Sequence, residues 1–251
     1  MEVHAHTHPA SGGTRKKWTH YFWEFLMLFL AVFCGFLAEY QLEHKIENER
    51  ERQYMTSMID NLKNDTAEVK NIINIYESKI KWLDSLLSIR HSDFLVRKDQ
   101  ELFYTYCMRT LFNNVAFQSN DATLIQLRNS GGLRLIRAKG VADSITSYQQ
   151  EMEGTQSQYV VTDRYFNKAS TLLEKIIDET ILFDATYYNK GIFSDKAILA
   201  INEDKQFLKE FFNTIQVYKL TTRVYLNYNL KYDLEYGERL ISFINKKYHL
   251  K

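Results

Sequence analysis

Residues 141–183 read VADSITSYQQEMEGTQSQYVVTDRYFNKASTLLEKIIDETILF. Within them Ile145, Tyr148, Met152, Thr155, Tyr159, Thr162, Phe166, Ala169, Leu173, Ile176 and Thr180 follow at alternating steps of three and four. That spacing returns each side chain to one face of an α-helix. It does not suit a strand, whose side chains change face at every residue. The segment therefore predicts a long helix packed along its whole length. Gly154 interrupts it at a cost of about 1 kcal/mol relative to Ala.

Similar patterns lie on either side. Residues 41–89 contain no Gly or Pro, and Val69, Ile73, Tyr76, Ile80, Leu83 and Leu87 keep a heptad seam of coiled-coil type. Upstream, Met55, Met58 and Leu62 are apolar, but Asp65 and Thr66 occupy the positions where the seam would continue, so it is interrupted there. Residues 43–52 are dense in alternating charge and read as a solvated helical stalk. A shorter helix is predicted over 99–118, with Leu102, Phe103, Tyr106, Cys107, Thr110 and Leu111 inward. Ser119, Asn120 and Asp121 offer an N-cap for a brief helix to Ser130, which Gly131-Gly132 stops as an αL C-cap would. Leu133, Leu135 and Ile136 re-enter the core. The last helix is predicted over 203–248, with Leu208, Phe211, Ile215, Tyr218, Thr222, Tyr225, Tyr232, Tyr236 and Phe243 on one face.

The only proline is Pro9, so nothing beyond it fixes φ or lacks an N–H. All-α is the predicted class: an N-terminal transmembrane helix continuing into an elongated antiparallel helical bundle, with 99–137 forming a small cap near its membrane-distal end. In that arrangement the 141–183 helix returns toward the membrane. The loop around 185–195, with Tyr187, Tyr188, Ile192 and Phe193, then lies at the near end. There it either meets the bilayer surface or closes the bundle.

Residues 21–40, YFWEFLMLFLAVFCGFLAEY, are the predicted span. Trp18, Tyr21 and Trp23 at one end and Tyr40 at the other suit interfacial belts, and Glu24 and Glu39 fall near the two ends. Signal-peptidase cleavage fits badly: cutting after Ala38 puts Phe36 where a small residue is required, and Phe33 precedes Cys34 at a lipoprotein-type site. Arg15, Lys16 and Lys17 directly precede the span, so the positive-inside rule places residues 1–20, a His-rich and basic tail, in the cytoplasm. Residues 41–251 are then exported, to the periplasm in a Gram-negative cell.

The anchor motif, the opening Met-Glu-Val-His, the basic patch and the run Ser130-Gly131-Gly132-Leu133-Arg134-Leu135-Ile136 resemble a family of uncharacterised single-pass inner-membrane proteins of the Bacteroidota. The resemblance is strong over the anchor and follows the rest in outline. It implies topology and Gram-negative origin, and it carries no activity.

Beyond Tyr40 the chain holds 29 basic and 28 acidic residues, which provides no positive field for a phosphate backbone; no nucleic-acid partner is expected. His4, His6 and His8 share one face of an extended segment and are weak metal-ligand candidates on a tail; no cofactor is expected. Glu24 is a carboxylate at interfacial depth, within reach of Lys17 or His20, and is a candidate for helix assembly or proton handling. Ala31 and Gly35 form a loose small-residue pair for helix packing. The 17 tyrosines read chiefly as amphipathic core, and Cys107 as a buried small residue. P-loop, Gly-x-Gly-x-x-Gly, Gly-x-Ser-x-Gly, Cys-x-x-Cys, His-Glu-x-x-His and Glu-x-x-His patterns are all absent, so no enzyme is expected. The expectation is a membrane-anchored periplasmic interaction or scaffold module with the bilayer and a protein partner or second copy as its contacts. The alternative is a sensory or signal-coupling protein that binds a small ligand between helices.

Overall fold

The computed structural model describes residues 18–187, 193 and 199–250. The chain divides into two units, residues 1–50 and 51–251. Helix α1 is Trp18–Ser88, and the part of it in the first unit carries one stretch long and apolar enough to cross a membrane, none of it buried. There Phe25, Phe29 and Phe33 stack at i, i+4 spacing, with ring centroids 6.2 and 5.8 Å apart.

In the second unit the rest of α1 is followed by α2 (Arg97–Leu111), α3 (Ala122–Asn129), α4 (Val141–Leu173), α5 (Glu179–Tyr187), α6 (Lys205–Val224) and α7 (Lys231–Tyr248). A 3₁₀ turn, Gly132–Leu135, follows α3, and a π-turn, Tyr225–Leu230, joins α6 to α7. Among the described residues there is no strand, only an isolated bridge between Ile177 and Ile201. The fold is an all-α bundle.

Two hydrophobic clusters fix the directions of the helices. Met55, Met58 and Leu62 of α1 pack with Val141, Ile145, Leu240 and Ile244. Leu83 and Leu86 pack with Phe103, Cys107, Leu172, Leu173 and Phe211. The start of α4 thus lies at the Glu51 end of the bundle and its end at the Ser88 end. Helix α4 runs parallel to α1, and α6 and α7 run antiparallel to both. Ion pairs repeat that register along α1: Lys70 with Glu238, Glu77 with Lys231, and Asp84 with Lys219. The expected return of the 141–183 helix is therefore corrected. The chain crosses back earlier, through 112–137, which runs down the bundle and does not form a cap at one end. Phe193, from the loop predicted around 185–195, meets Tyr104 of α2 edge-on at 5.7 Å, at the Ser88 end of the bundle. Tyr188 and Ile192, and the side chain of Tyr187, lie outside the described residues.

Three predicted helices differ in extent. The 141–183 stripe breaks after Leu173, because Ile176 C=O accepts Asn202 N–H at 2.7 Å and Ile177 bridges Ile201. Asp178 then starts α5 afresh, its Oδ1 accepting Thr180 N–H as an N-cap does. Helix α2 ends at Leu111, so 113–118 is not helical. In the last helix Tyr225 and Leu226 are both buried. The π-turn, Tyr225–Leu230, carries both of them and Leu230 into the core. Beyond it the buried face is Leu230, Asp233, Gly237, Leu240 and Ile244, while Tyr232 is 41% exposed. Gly131 (φ 68°), after α3, and Gly140 (φ 84°), before α4, take the left-handed conformation that glycine adopts at little cost.

Candidate functional site

The polar residues that interrupt the α1 seam are buried. Asp65, Thr66 and Lys79 are as enclosed as the leucines around them, and Glu51, assigned to a solvated stalk, is 6% exposed. Thr66 donates to Lys63 C=O within α1, and the other three answer to the non-helical crossing segment or to the chain's end. Glu51 Oε1 accepts Arg137 N–H and the Tyr248 hydroxyl, both at 2.6 Å. Asn61 donates to Thr123 Oγ1 at 2.8 Å. Asp65 Oδ1 accepts Asn120 N–H at 2.9 Å. Tyr76 donates to Val115 C=O at 2.7 Å, and Lys79 Nζ donates to Asn113 C=O and Tyr218 Oη. Phe117 N–H donates to Tyr225 Oη at 3.2 Å, from the π-turn. Backbone groups in an apolar interior need partners, and a crossing strand without a β-partner obtains them from side chains.

Lys79 has no carboxylate among its contacts. Its ammonium rests over the rings of Tyr76, Phe166 and Tyr218 at 5.2, 5.6 and 5.9 Å, a cation–π environment. Burial lowers its pKa to about 8. Burial likewise pushes the Tyr76 and Tyr218 hydroxyls well above their usual range, so both remain neutral donors. Three residues past the π-turn, in α7, Asp233 is 1% exposed. Thr155 donates to its Oδ2 at 2.7 Å, and its Oδ1 is buried without a partner. Burial raises its pKa to about 7, against the Thr155 hydrogen bond. Burial also raises Asp65 to about 6, opposed by the Asn120 N–H. Tyr148 lies against this pair, its hydroxyl pushed up first by burial and then by the charges of Asp65 and Asp233. The cavity beside Asp65 and Tyr148 holds only about 20 Å³, the scale of one water.

A larger cleft of about 450 Å³ opens on the surface between the crossing strand and α4, lined by Ala116, Gln118, Asp121, Gln149, Glu153 and Gln156 among others. Sequence reading missed it, because it assigned 113–118 to helix and placed α4 in the opposite direction.

In the first unit Trp18, Trp23 and Tyr40 are 82%, 60% and 48% exposed, and a Cβ on Gly35 would meet no other side chain within 4 Å. Glu24 meets His20 Nε2 at 4.0 Å, the i, i+4 partner expected. Cys34 is exposed and Cys107 buried, its thiol pKa raised by burial. His4, His6, His8 and the basic patch lie outside the described residues. Among the described residues no three His, Cys, Asp or Glu side chains are placed to hold a metal ion. No family model, curated protein or solved structure matches the chain.

Proposed function

We propose that this is a membrane-anchored interaction or scaffold protein without catalytic activity, with its N-terminus in the cytoplasm and its bundle in the periplasm. One observation carries the reading. Glu51, Asp65 and Lys79 are spread along α1, and each holds a backbone group of a neighbouring segment. Ionisable groups at an active site gather around a reacting atom, whereas these are distributed along the bundle as fasteners. The unburied apolar stretch of α1 supports the anchor, and the Arg15-Lys16-Lys17 patch before it supports the orientation.

Two experiments test it. An alkaline phosphatase fusion after Lys251 is expected to be active, and a silent fusion at normal expression overturns the orientation. Pull-down of the full chain in detergent is expected to retain a stoichiometric protein partner.

The π-turn and the unpaired Asp233 Oδ1 favour a second reading, a signal-coupling protein that binds a small ligand between helices. The 20 Å³ cavity near Asp65 weighs against it, because a ligand would first have to part the helices. A saturable rise in unfolding temperature with a small-molecule library, and no protein partner, would favour this second reading.

A further inference from the structure

We propose that the cleft between residues 116–121 and α4 takes an extended peptide carrying a basic side chain, which pairs with the backbone of Ala116 and Gln118. The proposal rests on the interaction reading and names the class of partner.

The crossing strand is close to fully extended. Its contacts run from Lys79 to Asp65, fourteen residues of helix or about 21 Å, while the strand itself advances only from Asn113 to Asn120. That is about 3 Å per residue, near the reach of a strand. In extended chain, successive residues turn their N–H and C=O to opposite sides. Val115 C=O and Phe117 N–H turn inward, to Tyr76 and Tyr225. Ala116 between them therefore turns its own outward, Gln118 is exposed, and among the described residues neither makes a backbone–backbone hydrogen bond. An edge of this kind pairs with an incoming strand.

The opposite wall complements a peptide. Gln149 Oε1 is buried without a partner while its Nε2 donates to Glu153 Oε1 at 3.0 Å, which leaves a side-chain acceptor for a peptide N–H. The ionisable residues lining the cleft, Asp121 and Glu153, are both acidic, in a chain whose charges otherwise balance. A Lys or Arg on the occupant is the complement.

The test uses the full chain in nanodiscs, applied to an immobilised library of random hexapeptides with Lys, Ala or Glu fixed near the centre. Retention on the Lys set is expected to exceed that on the Glu set at least tenfold. Gln118→Pro keeps the extended φ but deletes the outward N–H, and should lower retention tenfold without changing helical content. Glu153→Lys, on the exposed face of α4, should erase or reverse the charge preference, and it decides the question if the proline variant fails to fold. Hydrogen exchange over 114–121 should slow on binding. Absence of a Lys preference, or wild-type retention by Glu153→Lys, overturns the cleft assignment. If a partner still co-purifies from cells in that case, the scaffold reading stands without this cleft; if none does, both fall.

Discussion

Asp233 makes this protein's stability depend on pH in an unusual direction. Its carboxyl is 1% exposed, one oxygen has no partner, and its pKa rises from 3.8 in the unfolded chain to about 7. The folded state therefore binds the proton more tightly than the unfolded state. Between those two values the native state holds more protons, so stability falls as pH rises. A shift of about 3 units corresponds to roughly 4 kcal/mol in all, of which about 2.5 kcal/mol is lost between pH 5 and 8. Asp65 adds to the loss with the same sign, over the window from 3.8 to about 6. The perturbation is Asp233→Asn, which keeps the shape and the Thr155 contact and removes the titration. Urea unfolding of the full chain in nanodiscs, followed by far-ultraviolet circular dichroism at pH 5, 6, 7 and 8, measures it. The variant should gain about 2.5 kcal/mol on wild type between pH 5 and 8, with most of the gain between 5 and 7. Stability curves that run parallel, or a wild type that becomes more stable toward pH 8 while the variant does not, would refute the reasoning.

Three further substitutions test the packing. Gly154 lies inside α4 with nothing within 4 Å of the site of a Cβ, so Gly154→Ala should stabilise by about 1 kcal/mol in the same unfolding assay. Gly237→Ala would bring its Cβ to 2.8 Å from Thr66 Cγ2. It should destabilise by roughly 1–3 kcal/mol, and a double-mutant cycle with Thr66→Ser, which removes that methyl, should recover most of the loss. Tyr76→Phe leaves Val115 C=O without its hydroxyl donor and should cost about 1–3 kcal/mol, with faster hydrogen exchange over 113–118 as an independent sign.

The helices were legible because their burial is periodic. The heptad seam of α1 and the α4 stripe from Ile145 to Leu173 correspond to buried or half-buried residues. Gly131 and Gly140 marked left-handed turns that only glycine adopts cheaply. The direction of packing was not legible, since a stripe says which face of a helix is covered and not what covers it. Stripes also run on past helix ends. Ile176 sits in step with α4 but belongs to the turn that pairs with Asn202, and the signal for the break was the Asp178 cap two residues later. The π-turn had a trace in the sequence: the last-helix stripe skips from Tyr225 to Tyr232 without a member between them. Leu226 and Leu230, both buried, fill that gap.

The interruption of the α1 seam at Asp65 and Thr66 was the signal for the non-helical crossing, and its meaning is physical. A helix laid along α1 would satisfy its own backbone and would need only apolar residues opposite it. Extended chain in the same place brings unpaired N–H and C=O groups to the interior, and each unpaired buried group costs about 1–3 kcal/mol. The neighbouring helices must therefore carry polar side chains at core positions. Asp65, Tyr76 and Lys79 on α1 and Tyr225 on the π-turn meet Asn120, Val115, Asn113 and Phe117 in that order of need. The fasteners also set register. A slip of one residue would turn the inward groups outward and leave an unpaired Lys79 ammonium and Asp65 carboxyl in the core. The same alternation that ties Val115 and Phe117 to the bundle directs Ala116 away from it, beside the exposed Gln118. The polar core of α1 and the open edge of the cleft are thus two consequences of a single choice, a crossing made in extended chain.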